Sequence, residues 1–255
     1  MITATPTVAS TAHLGPGIPF TCSLRVEWRK SIDTRAARWL LAAVVAISVI
    51  AAIVPIATPN SSDQDLSNYL AIMAIGVTLL LPVVSILTLT SEWSQRTVLT
   101  TFTQDPRRDR VLAAKLSVGL GLAAIGGLAG LAIAGAGLQI SDALGRPVSW
   151  DVGSSELVGY GLFVLLSSLM GMAFGALLHN TAAAIAAYFA IPTLITIVAV
   201  PFAAIRDWVD SATTSNWILH GEWSGHSAQI LTSVGIWVLL PLLVGLSRTL
   251  RRDAN

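Results

Sequence analysis

Charge is scarce in this chain. Only 11% of its 255 residues are Asp, Glu, Lys or Arg, against about 25% in a typical soluble domain. Cysteine is scarcer still. Cys22 stands alone, which excludes an intrachain disulfide and any thiolate metal cluster. There is no GxxxxGK[ST] phosphate loop, so no nucleotide site is expected on this chain. No run of apolar residues is interrupted by a histidine that would partner Ser167 or Ser168 as a base, so a serine-type intramembrane enzyme is not expected. His220, Glu222 and His226 lie in HGEWSGH, which lacks the i, i+4 histidine pair of a zincin; no metal site and no bound cofactor are predicted. The net charge of +1 points to no partner class, and nucleic acid is not expected as one.

What the chain has instead is apolar length. Hydrophobic residues make up 54%, with a mean hydropathy of +0.72. Six runs reach the roughly 20 residues that cross a bilayer: 37–57, 69–89, 111–140, 157–178, 181–205 and 230–250. The fourth and fifth are separated only by His179 and Asn180. One helix through both would overshoot a hydrocarbon core of about 30 Å, so a hairpin is predicted. The expected fold is an all-α, six-span membrane protein. Residues 1–22 read as a disordered tail rather than a cleaved leader, 23–36 as an amphipathic interfacial helix, and 251–255 as a second tail. The segment 206–229 holds Trp208, Trp217 and Trp223. It reads either as an interfacial or re-entrant helical element or as an exposed loop with belt residues.

Basic residues fix the expected orientation. Arg25, Arg29, Lys30, Arg35 and Arg38 precede the first run. Arg96, Arg107, Arg108, Arg110 and Lys115 lie between the second and third, and Arg248, Arg251 and Arg252 close the chain. Only Arg146 and Arg206 fall on the other side. Both termini are therefore expected in the cytosol. Arg25, Trp28, Arg29, Lys30 and Trp39 are candidate interfacial anchors. Gly126 with Gly130, and Gly171 with Gly175, form GxxxG pairs for close helix packing, inside one chain or between two. Pro55, Pro82, Pro192, Pro201 and Pro241 are expected to kink the runs. No run reads as carrying buried charge, which argues against a proton-coupled pump or an ion channel.

The segment 91–110, SEWSQRTVLTTFTQDPRRDR, continues to Lys115. Asp105-Pro106 ends one helical stretch and starts another. This segment resembles the first cytoplasmic loop of type-2 ATP-binding-cassette (ABC) permeases. There a Glu ends span 2, a Gly-Thr or Arg-Thr pair follows, then a Pro-Arg-Arg element, and a Lys opens span 3. Glu92, Arg96, Thr97, Pro106, Arg107, Arg108 and Lys115 match; Arg96 departs from the commoner Gly. The stretch SLRVEWRKSIDTRAARW is similar to the interfacial helix of actinobacterial-type members through Leu24, Arg25, Glu27, Trp28, Lys30, Arg35 and Trp39.

The resemblance implies the permease subunit of an exporter in the bacterial plasma membrane. It would work with a cytosolic ABC ATPase that carries ATP and Mg, and with a second permease copy or a paralogue. Glu92, Arg96, Thr97, Phe102, Asp105, Pro106, Arg107 and Arg108 would then face the ATPase. The cargo expected from apolar walls is hydrophobic or amphipathic: a drug, a lipid or a peptide antibiotic. The alternative is a membrane scaffold or immunity protein without a transport cycle.

Overall fold

The computed structural model describes residues 19–57, 64–94 and 107–251. All the regular structure among them is helical. α1 (Phe20–Asp33) precedes α2 (Arg35–Ala57), α3 (Leu66–Ser94), α4 (Arg108–Ala143), α5 (Ser154–Leu178) and α6 (Thr181–Ala199). Two short helices follow, α7 (Ala203–Val209) and α8 (Ser211–Leu219). The last span comprises α9 (Ser227–Val234), a π-helical turn (Gly235–Leu239) and α10 (Leu240–Arg251). Six of these helical runs are long and apolar enough to cross a bilayer. The protein is a multi-pass membrane protein.

α3 is the most enclosed span and α6 the least. α3 packs along α2, α4 and α5, with Tyr69, Met73, Val77 and Leu81 in the shared core. Both GxxxG pairs are spent on this packing inside one chain. A Cβ at Gly171 would come within 2.8 Å of the Pro82 carbonyl oxygen, and one at Gly175 within 3.2 Å of Thr90 Cγ2. Gly126 faces Leu81, and Gly130 faces the Tyr160 hydroxyl and Val77. Small residues let the α3 and α5 backbones approach where lipid supplies no hydrophobic drive between helices.

The turn between α5 and α6 is the predicted hairpin. His179 adopts φ +51° as the α5 C-cap, and its N–H donates to the Gly175 carbonyl at 3.0 Å. Asn180 then caps α6, its Oδ1 accepting from the Ala183 N–H at 3.0 Å.

Several boundaries differ from the expectation, most of them by three to five residues. α1 begins at Phe20, so Phe20–Cys22 belong to this helix and not to the tail. α6 ends at Ala199 rather than 205, because Pro201 cannot donate to a helical carbonyl and the chain restarts at α7. Segment 206–229 contains the end of α7, all of α8 and the start of α9, so it is largely helical. In the last span the Leu240 N–H reaches back five residues to Gly235, one position before Pro241. A π turn of this kind absorbs the bond that proline cannot make.

Contacts at the span ends sort onto two sides. On one, Lys30 meets Glu92, Trp93 meets His179, and His179 meets Thr249. On the other, Ser149 bonds the backbone of Gln64 and Leu66, Arg146 donates to the Ile56 carbonyl, and Ser67 donates to Glu156. The first and last described helices therefore reach the same side.

Candidate functional site: a buried four-charge joint

α1 is amphipathic at helical spacing. Leu24, Trp28 and Ile32 lie at i, i+4 and i+8 and pack on Val84, Val118 and Leu122 of α3 and α4. Glu27 sits beside that stripe and is carried into the protein with it, 5% exposed. It meets two charges that the apolar runs supply. Glu92 lies in the last turn of α3 and is 7% exposed; Lys115 lies in the second turn of α4 and is 4% exposed.

The four side chains close a compact network. Lys115 Nζ is 2.7 Å from Glu27 Oε2 and 3.3 Å from Glu92 Oε1. Lys30 Nζ is 2.7 Å from that same Glu92 oxygen and 2.9 Å from Glu27 Oε1. Two ammonium groups and two carboxylates cancel, so the joint is neutral. Burial alone would lower the pKa of Lys30, but the hydrogen bonds and charges of Glu27 and Glu92 outweigh it and hold that pKa above the ordinary lysine value. Glu92 stands at the negative end of the α3 dipole, where an acid is unfavourable. Two lysines within 3.3 Å offset that penalty. Removing one partner from a buried pair leaves an uncompensated charge and typically costs about 3–5 kcal/mol. Lys30 keeps 43% of its side chain exposed, so its share is screened.

This geometry corrects the expectation that the spans hold no buried charge. Glu92 and Lys115 both belong to spanning helices and both are buried. They escaped a hydropathy reading because each lies within a few turns of a helix end.

Of the residues expected to face an ATPase, Arg96, Thr97, Phe102, Asp105 and Pro106 lie outside the described residues. Glu92 points inward, into the joint. Arg107 is the exposed N-cap residue of α4, its carbonyl accepting from Arg110 and Val111, and Arg108 opens the helix. Of the expected anchors, Arg25, Arg29 and Trp39 are exposed, whereas Trp28 is half-buried against Val84, Val118 and Leu122.

A second cluster grips α3 from its other flank. The Thr181 hydroxyl is 2.8 Å from that of Thr90 and 2.7 Å from that of Ser94. His179 sets its ring 4.4 Å from that of Trp93 and its Nε2 2.7 Å from the Thr249 hydroxyl. Sequence reasoning did not find this cluster, since its members come from three separate segments. At the opposite side, His226 stacks on Trp217 at 4.0 Å, and the ring nitrogens of His220 and His226 approach the carbonyls of Asn216 and Glu222. Among the described residues no group of three or more His, Cys, Asp or Glu is placed to hold a metal ion.

No protein-family model, curated protein or solved structure matches the chain.

Proposed function

We propose that this chain is the membrane-spanning subunit of an ABC exporter in a bacterial plasma membrane. It would move a hydrophobic or amphipathic cargo, with a cytosolic ATPase supplying the energy and a second permease copy or a paralogue completing the path. The observation that carries the reading is the charged joint. Glu92 and Lys115 belong to the two helices that flank residues 95–106, the segment resembling an ATPase-contacting loop, and both are ion-paired to α1. A push delivered to that segment would reach α3, α4 and α1 as one body. The second cluster would pass it on to the α5–α6 turn and α10. In this reading Glu92 is a positioning residue, and the contact surface is left to Arg107, Arg108 and the segment before them. An ATP-driven shift needs the ATPase to bind the two conformations of this body with different affinity.

The test is affinity purification of the full chain in mild detergent, as wild type and with Arg107→Glu and Arg108→Glu together. A soluble ATPase should co-elute with the wild type and be lost from the double variant, because reversing two charges at a docking edge alters partner choice. An ATPase retained equally by both defeats the assigned contact. Its absence from the wild type across several detergents defeats the exporter reading.

A further inference from the structure

Two cavities open on either side of Trp28. One, of about 420 Å³, lies between α1 and α4 and is bordered by Thr21, Arg25 and Ser117. The other, of about 280 Å³, runs between α2 and α4 with Leu81 of α3 at its floor. The second follows α4 from Leu122 to Ile133. Eleven steps of helix rise about 16 Å, close to one leaflet of a hydrocarbon core about 30 Å thick. Each cavity falls near or within the roughly 300–1,000 Å³ of ligand sites.

The two differ in chemistry, and the order matters. The polar groups gather at the α1 end. Arg25 is exposed there, and its guanidinium makes no hydrogen bond or ion pair with any described residue. In the deeper cavity Ser48 is the one hydroxyl on the wall, and it already donates to the Val44 carbonyl at 2.9 Å. The rest of that wall is apolar and opens sideways past Val45 and Ile125, both about half exposed. A cation at the headgroup level followed by a dry slot one leaflet deep is the complement of an anionic amphiphile.

We propose that this cleft is a binding site for one anionic phospholipid of the leaflet that meets α1. Its phosphate sits at the Arg25 guanidinium, and one acyl chain runs past Trp28 into the slot between α2 and α4. Arg29, one turn along α1 and also without a partner among the described residues, adds to the attraction for negative headgroups. The proposal does not depend on a transport cycle.

The experiment is native mass spectrometry of the full chain released from nanodiscs of mixed phosphatidylglycerol and phosphatidylcholine, with no ATPase present. Wild type should retain one phosphatidylglycerol in preference to phosphatidylcholine. Arg25→Glu, a surface change that leaves the packing untouched, should lower that retention roughly tenfold or more. Ala129→Phe, which fills the slot, should abolish it, while Leu194→Phe on the exposed face of α6 should leave it intact. Equal retention of the two lipids, or retention indifferent to Arg25→Glu, overturns the site. A chain dimer that Ala129→Phe dissociates overturns it as well, since a second copy would then be the occupant.

Discussion

Replacing Lys115 with Ala would leave Glu27 and Glu92 buried with only the half-exposed Lys30 between them. The expected loss is about 3 kcal/mol, whereas Lys30→Ala should cost less than about 1 kcal/mol because water already screens that charge. Denaturant titration in detergent measures both, and equal losses would show that the joint is not dry. Asp210 gives a pH-dependent counterpart on the other side of the protein. It caps α8, its carboxylate accepting from the amides of Ala212 and Thr213 and the hydroxyls of Thr196 and Thr213. Burial would raise its pKa, but these bonds favour the charged form and hold it below the ordinary value of 3.8. A depressed acid stabilises the fold at pH values above its ordinary pKa and stops doing so as pH falls through its folded value. Amide protection in α8, taken relative to the intrinsic exchange rate at each pH, should therefore hold at neutral pH and fall only below about pH 4. Asp210→Ala should lower that protection at neutral pH by the equivalent of about 1 kcal/mol. Unchanged protection at neutral pH in that variant would defeat the capping role. Little of this pairing was legible beforehand. Glu27, Glu92 and Lys115 were each visible as charges near apolar runs, but their partners stand 62 and 88 positions away, and local spacing does not name a distant partner.

At the scale of elements, glycines that look alike in sequence separate by what they face. Gly171→Ala drives a Cβ against the Pro82 backbone, which cannot yield as a side chain would; a loss of about 1–3 kcal/mol is expected. Gly135 has nothing within 4 Å of a would-be Cβ. Gly135→Ala should be neutral or stabilising by up to about 1 kcal/mol, since alanine restricts the unfolded chain more. Thermal melting of the two variants side by side checks the contrast, and matching melts would mean that α3 and α5 are not in close contact. The spans themselves were legible because twenty apolar residues have few other uses. Their ends were less so. Hydropathy runs on through Val200 and Ile205, while helix continuity is decided by the amide that Pro201 lacks. The π turn was also hidden, since Pro241 predicts a disturbed bond but not the extra residue that accommodates it.

Taken whole, the fold places α1 and the end of α10 on one side and α7 and α8 on the other, and the arginine distribution predicts that the first side faces the cytosol. The lone thiol makes this testable without engineering that side, because Cys22 is exposed. A membrane-impermeant maleimide added to intact cells should leave Cys22 unlabelled and should label it after permeabilisation. A Cys22→Ser, Ser224→Cys chain should label in intact cells, since Ser224 is exposed between α8 and α9. Labelling of Cys22 in intact cells reverses the topology and with it the ATPase reading.

The joint also imposes a schedule on synthesis. Glu27 leaves the ribosome 88 residues ahead of Lys115, an interval of about 4–18 s at about 5–20 residues per second. Until Glu92 emerges, 62 residues after Lys30, α1 has only its internal Glu27–Lys30 pair and must wait hydrated at the bilayer surface. Its seat on Val84, Val118 and Leu122 is built only when the start of α4 has emerged, so α1 is made before α2 and α3 but docks after both.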